Sequence, residues 1–383
     1  LFEVRMHRLI VILFVLMFFS SLGQEQSIGI LREHKVKRVT FSHHLGQYNV
    51  QADASIIGTL NSQEFIEVEL VGGKLSLKYN TIPQGNFSRI TVVANGNGTI
   101  AIKSKVPSVR ERKYQDHFEI SVVKGRMTIV NKVSMEDYLC GVIESEGGGG
   151  RHAEYYKVQA VMSRTYAFKN KSRHSKEGFG LCDGVHCQAY HNMLRYTPEI
   201  RTAVRNTKGD VLVDGKKRLV TTYFSANCGG EVCDASHVWN NSVQHVKPFI
   251  DTFCIHTRQA TWTKRIPQWE FRNFLVKQYG YPIYDSLMAK RIYSFTQESR
   301  KAFYIHPSLG IPLRDLRKKF KLKSTFFSTH PEGSVVVLEG RGFGHGVGLC
   351  QEGAMNMATN NFTYRQIAEF YFDGVRVRKY SKL

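Results

Sequence analysis

The sequence predicts an α+β protein, with a mixed α/β domain preceded by a β-rich module. Apolar and polar residues alternate along Phe65-Ile66-Glu67-Val68-Glu69-Leu70 and Phe118-Glu119-Ile120-Ser121-Val122-Val123, the period-two pattern of strands with one buried face. Turn sequences such as Val71-Gly72-Gly73 and Asn95-Gly96-Asn97-Gly98 punctuate the same region. From residue 134 onward, helical segments near 153–170, 267–279 and 353–371 are mixed with strands near 211–225 and 334–339.

In chain order, the first element is a leader. A short basic stretch (Met6, His7, Arg8) is followed by an apolar run from Leu9 to Phe19, then by small residues (Ser20, Ser21, Leu22, Gly23) and polar Gln24-Glu25-Gln26. This order is that of a secretory signal peptide over 1–23. The run is shorter than the roughly 20 residues needed to span a bilayer. The expected mature protein is therefore exported to the periplasm or cell envelope and carries no membrane span. Residues 24–133 form the β-rich module and 134–383 the mixed domain. A strongly basic stretch at 264–332 (Arg314, Arg317, Lys318, Lys319, among others) reads as surface.

Composition narrows the partners. The chain has 383 residues, 42 % of them apolar and 22 % charged, which excludes a wholly disordered protein and suggests two or three units. Lys and Arg number 53 against 32 Asp and Glu, a net charge of +21. An exported protein does not meet nucleic acid as a routine partner. The polyanions outside the membrane are cell-wall glycan, whose muramic acids carry carboxylates, and anionic lipid headgroups.

Three clusters carry chemistry. In the first, Glu146 ends a strand-like apolar run and opens a loop of Gly147 to Gly150. A carboxyl at the edge of Val142 and Ile143 can have its pKa raised by desolvation, which suits a general acid; the competing reading is a tether for the next helix. On that helix Gln159, Ser163 and Tyr166 share one face at i, i+4, i+7 and can line a sugar groove or simply be solvated. The second cluster is Cys182, His186 and Cys187 with His174 upstream, a set suited either to tetrahedral zinc or to a small-loop disulfide. Seven cysteines cannot all pair within one chain. Cys228 and Cys233 are the better disulfide pair, and Cys140, Cys254 and Cys350 read as buried or unpaired.

The third cluster alternates Gly340, Gly342, Gly344, Gly346 and Gly348 around Phe343 and His345, followed by Gln351. No glycine triplet stands at i, i+2, i+5 and no Gly-Lys-Ser/Thr follows, which excludes a nucleotide loop. His345 is either a ligand contact or a packing histidine.

Taken in order, these segments resemble the family of stage II sporulation protein D and the amidase enhancers that share its domain. The matching residues are Tyr138-Leu139-x-Gly141-Val142-Ile143-x-x-Glu146, Lys157-x-Gln159-Ala160-Val161-x-x-Arg164-Thr165-Tyr166-Ala167, Cys182-Asp183-x-x-x-Cys187-Gln188-x-Tyr190, Tyr223-Phe224-Ser225 with Gly229-Gly230, Val238-Trp239, and Gly342 to Gly348 with Gln351. The resemblance implies a lytic transglycosylase acting on peptide-free peptidoglycan strands, with Glu146 as catalytic acid and a 1,6-anhydro sugar as product. It also implies a glycan site drawing on Gln159, Ser163, Arg164, Tyr166, Ser225, Gly229, Gly230, His345 and Gln351. Structural zinc would be held by Cys182, Cys187 and His186, with His174 as fourth ligand. The alternative from the same family is a non-catalytic binder of peptidoglycan that stimulates a cell-wall amidase. Where many members follow the glutamate with Met-Pro and a Trp-Pro pair, this chain has Gly147 to Gly150 and Arg151-His152. Cys228 stands where a serine or threonine is common.

Overall fold

The structure, a computed structural model, describes residues 25–383, so the expected signal peptide lies outside the described residues. The fold is α+β, with nearly all strand before residue 134 and helices mixed with short sheets after it. Contacts divide the chain into two compact units. One holds the residues up to Gly150 together with Ala167–Lys208, and the other holds Arg151–Tyr166 together with Gly209–Leu383.

The first unit is built on two sheets. The larger runs, in spatial order, Leu181–Cys182, Glu25–Ile30, Arg126–Ser134, His117–Val123, Arg89–Ala94, Tyr48–Ala52 and Ser55–Leu60. The smaller runs Arg112–Gln115, Thr99–Val106, Arg38–Leu45, Phe65–Val71, Lys74–Tyr79 and Ile82–Phe87. The alternation in the sequence becomes burial: Ile66 and Val68 are fully buried while the alternating Glu67 and Glu69 are only half-buried. Phe41 of the smaller sheet meets Phe118 of the larger edge to face, with ring centroids 5.9 Å apart, which marks the layer where the inner faces interdigitate. Gly72 and Gly73, at φ +55° and +79°, make the two-residue turn between paired strands, where positive φ at both positions matches the strand twist.

The last long strand of the larger sheet leads directly into a helix, Met135–Gly147. This corrects the strand-like reading of the segment before Glu146. Tyr138, Leu139, Val142 and Ile143 are all buried and recur at helical rather than alternating spacing. Ser134 caps the helix start by accepting the Asp137 N–H at 3.1 Å, with Glu136 and Asp137 in the first turn.

The second unit is centred on a three-stranded antiparallel sheet, Thr261–Pro267, Val335–Arg341 and Phe327–Glu332, with Val335–Arg341 in the middle. Helices Gln268–Tyr279 and Leu313–Phe320 contribute Phe271, Leu275, Leu316 and Phe320 to its core, and the Phe271 and Phe320 rings stack at 5.5 Å. The basic stretch is thereby explained: Leu313, Leu316 and Phe320 turn inward, while Lys318 and Lys319 on the same helix are exposed. Short paired strands complete the unit, Asp210–Val213 with Arg376–Lys379 and, in parallel, Phe224–Ser225 with Leu349–Cys350. Among the described residues no helix is long and apolar enough to cross a membrane.

Candidate functional site

Glu146 sits one residue before the end of the Met135–Gly147 helix. The helix surface there is closely covered by the 188–197 loop. A Cβ at Gly141 would lie 2.4 Å from the Asn192 carbonyl oxygen and 2.5 Å from the Tyr190 ring, so only glycine admits this approach. Three successive side chains then hold the loop by its backbone. The Glu144 carboxylate accepts the N–H groups of Arg195, Tyr196 and Thr197 at 2.9, 2.8 and 2.9 Å. Ser145 Oγ accepts the His191 N–H at 3.3 Å, and Glu146 Oε1 accepts the Ala189 N–H at 2.7 Å.

Glu146 Oε2 has no hydrogen-bond partner among the described residues. Burial raises the carboxyl's pKa above the usual glutamate value, and the single Ala189 N–H only partly offsets it. A position at the negative end of a helix adds in the same direction. The chain continues through Gly148 and Gly150, both at positive φ, where an added Cβ would meet nothing, whereas one at Gly149 would lie 2.8 Å from Thr197 Oγ1. One oxygen of Glu146 thus tethers the loop, while the other makes no hydrogen bond among the described residues.

The polar row on the Ala153–Lys169 helix does not face an open surface. Gln159, Ser163 and Arg164 are at most 2 % exposed and Tyr166 is 8 % exposed, so the expectation of a groove-lining row is corrected to an interior one. The helix is packed on its polar side as well because short strands dock there through hydrogen bonds. Arg164 donates to the Asp210 carbonyl at 3.1 Å, Thr165 Oγ1 accepts the Leu212 N–H at 2.9 Å, and Thr222 donates to the Met162 carbonyl at 3.0 Å.

His174, Cys182, His186 and Cys187 converge in the first unit, with one donor atom from each lying within 4.8 Å of the others. Cys187 Sγ is 3.4 Å from His174 Nε2 and 3.8 Å from His186 Nδ1, and Cys182 Sγ is 3.8 Å from His186 Nδ1. Zinc bond lengths of about 2.3 Å to sulfur and 2.0–2.1 Å to nitrogen give a tetrahedron edge of about 3.6 Å, so the donor set fits. His174 Nδ1 bonds Glu177 at 2.7 Å, which leaves Nε2 for a metal, and Arg32 braces Glu177 in turn. That brace pulls the Glu177 carboxyl down to about 2, first through the Arg32 hydrogen bond. Asp183, inside the same motif, is structural: it accepts the Leu31 N–H at 2.7 Å and pairs with Arg112 at 2.8 Å.

In the second unit the glycine-rich loop lies against residues 223–229. A Cβ at Gly348 would come within 2.3 Å of the Tyr223 carbonyl oxygen, and Gly348 itself is at φ +73°. Asn227 and Phe343 exchange backbone hydrogen bonds, and Ser225 Oγ accepts the Gly346 N–H at 3.1 Å. His345 Nδ1 accepts the Val347 N–H at 2.9 Å, fixing the proton of the neutral ring on Nε2. Burial, reinforced by Arg317 and Arg300, pulls its pKa down to about 4. The ring meets Trp239 at 5.3 Å and Tyr223 at 6.3 Å, and those two stack at 4.3 Å. Trp239 and Phe343 remain 38 % and 42 % exposed. Gln351, the first residue of the Gln351–Thr359 helix, is buried, and its Nε2 has no hydrogen-bond partner among the described residues.

None of the seven cysteines forms a disulfide. The expected Cys228–Cys233 pair is corrected: Cys233 Sγ turns to the Asp234 carbonyl, while Cys228 gathers with Cys254, Cys350 and Asp251, all buried. Within this group the Cys254 thiol is pulled below the usual thiol range, first by hydrogen bonds from Cys228 and Cys350. The reading from sequence missed Asp251, although Asp251-x-x-Cys254 is visible there, and did not assign Tyr223 or Trp239 to the site despite their place in the matching motifs.

Residues 123–213 match the family described as SpoIID, Stage II sporulation protein, a stretch that includes Glu146 and the whole Cys/His cluster. The chain is 27 % identical over 341 residues to an uncharacterized protein of Brachyspira hyodysenteriae, covering 88 % of each. It is 24 % identical over 268 residues to Stage II sporulation protein D of Bacillus subtilis, covering 65 % of this chain and 75 % of that one. Over 293 residues it is 24 % identical to a Bacillus subtilis protein named Amidase enhancer, of which the match spans 40 %. The chain therefore carries a SpoIID domain at residues 123–213 and is similar beyond it to proteins named Stage II sporulation protein D and Amidase enhancer.

Proposed function

We infer that this is an exported peptidoglycan lytic transglycosylase in which Glu146 is the general acid and base. The observation that carries the reading is the state of that carboxyl: its pKa is raised by burial, one oxygen is fixed by the Ala189 N–H and the other is unengaged. The raised pKa keeps a larger share protonated near neutrality, which is what a proton donor requires.

The protonated Oε2 gives its proton to the oxygen bridging N-acetylmuramic acid and N-acetylglucosamine, and the bond to the muramic anomeric carbon breaks. The carboxylate left behind takes the proton of the muramic 6-hydroxyl as that oxygen attacks the anomeric carbon. The glutamate ends protonated, no water is consumed, and the products are a free N-acetylglucosamine 4-hydroxyl and a 1,6-anhydro ring. One carboxyl suffices for this sequence, whereas hydrolytic glycosidases usually pair two. The exposed edge of the Tyr223, Trp239 and His345 group is suited to stack against a sugar face. His174, Cys182, His186 and Cys187 would hold a zinc ion of structural role, since four protein ligands leave no open position.

Digestion of peptide-free glycan strands, read by mass spectrometry, tests the reaction. Anhydro-muramyl ends are expected. Reducing muramyl ends would mean hydrolysis, and binding without products, together with stimulation of a cell-wall amidase, would favour the enhancer role.

A further inference from the structure

Three thiols and a carboxyl meet in the second unit. Cys228 Sγ lies 3.4 Å from Cys254 Sγ and 3.2 Å from Asp251 Oδ2. Cys350 completes the set, and one donor atom from each of the four residues lies within 4.8 Å of the others. Cys228, Asp251, Cys254 and Cys350 have no measurable exposure. With bonds of about 2.3 Å to sulfur and 2.0–2.2 Å to oxygen, a zinc tetrahedron has S···S and S···O edges of about 3.8 and 3.5 Å. The observed separations fall a few tenths of an ångström short of those edges, so small outward movements would admit an ion.

The surroundings are built for ligands rather than for a greasy thiol core. Asp251 accepts the Tyr371 hydroxyl at 2.9 Å on Oδ2 and the Phe253 N–H at 2.9 Å on Oδ1, which fixes its plane. Cys350 Sγ accepts two backbone N–H groups, from Cys228 at 3.2 Å and from Gly353 at 3.4 Å. The second of these makes Cys350 the N-cap of the Gln351–Thr359 helix, where the helix end favours negative sulfur. A Cβ at Gly353 would fall 2.2 Å from the Tyr371 hydroxyl and 2.9 Å from Asp251 Oδ2, so glycine keeps this outer shell intact. Backbone donors aimed at sulfur and a buried carboxyl call for a cation, because buried charge without a partner is costly.

We propose that Cys228, Asp251, Cys254 and Cys350 form a metal site of the zinc class, structural in role and separate from the His174–Cys187 cluster. Its four donors come from segments far apart in sequence: the 228 turn, the 251–254 turn and the helix start at 350. A bound ion ties these three together and with them the glycine-rich loop. This inference is independent of the glycan reading.

The test is zinc(II) stoichiometry by native mass spectrometry and elemental analysis. The double variant Cys182→Ser/Cys187→Ser removes the first cluster and is expected to retain one zinc per chain. Adding Cys254→Ser/Cys350→Ser is expected to abolish it. Retention of zinc by the quadruple variant would overturn the proposal. Should that variant fail to fold, the double variant loaded with cobalt(II) decides the matter: sulfur-to-cobalt charge-transfer absorption of a three-thiolate site supports the proposal, and its absence refutes it. An intact mass lighter by two hydrogens, mapped to a Cys228–Cys254 disulfide in the protein as isolated, would also refute it.

Discussion

At Glu146 burial and hydrogen bonding act in opposite directions, and burial is the stronger. In the proposed reaction the carboxyl must be protonated for the first step, so the rate is expected to fall as pH rises through the raised pKa. A pH–rate profile on peptide-free glycan should therefore show its alkaline limb above the pH at which an ordinary glutamate titrates, and a limb at ordinary glutamate pH would contradict this. The same shift has a stability counterpart. A group whose folded pKa is raised contributes stability that is present below the unfolded pKa and lost as pH rises through the folded one. Glu146→Gln should thus stabilise the protein more at pH 7 than at pH 4, as read from thermal melts.

His345 runs the other way in charge. Its folded pKa near 4 lies below the usual histidine value of 6.5, so the unfolded chain takes up the proton first and stability declines as pH falls between those values. His345→Gln should flatten that decline, measured by denaturant unfolding across the same window.

At the scale of elements, the helix–loop contact around Gly141 decides where the carboxyl stands. Gly141→Ala drives a methyl into the Asn192 carbonyl and the Tyr190 ring and should cost about 1–3 kcal/mol, the usual range for overpacking. Glu144→Ala removes three charge-assisted bonds to the loop and should speed amide exchange at Arg195, Tyr196 and Thr197 selectively. An unchanged exchange pattern would show that the loop is held without Glu144.

The alternating strands, the helices and the Cys/His cluster were legible in the sequence because each rests on local periodicity or spacing. The segment before Glu146 was not, because a short apolar run looks alike as strand or buried helix until Ser134 is seen to cap it. The burial of Gln159, Ser163 and Arg164 was hidden for a different reason, since it depends on which distant strands cover the helix. The meeting of Cys228, Asp251, Cys254 and Cys350 is likewise set by long-range folding, which spacing within a motif cannot show.

For the whole molecule, a net charge of +21 suits a polyanionic surface and supplies attraction without specificity. Adsorption to cell-wall glycan should therefore weaken steeply with salt. The catalytic assignment rests elsewhere, on one side chain. Its most direct measurement compares the initial rate of anhydro-muramyl release by the unsubstituted protein, Glu146→Gln and Glu144→Gln, each shown to bind glycan. Loss of roughly 10²–10⁴-fold in Glu146→Gln alone is predicted, the range for removal of a general acid. Release undiminished in Glu146→Gln would contradict the account.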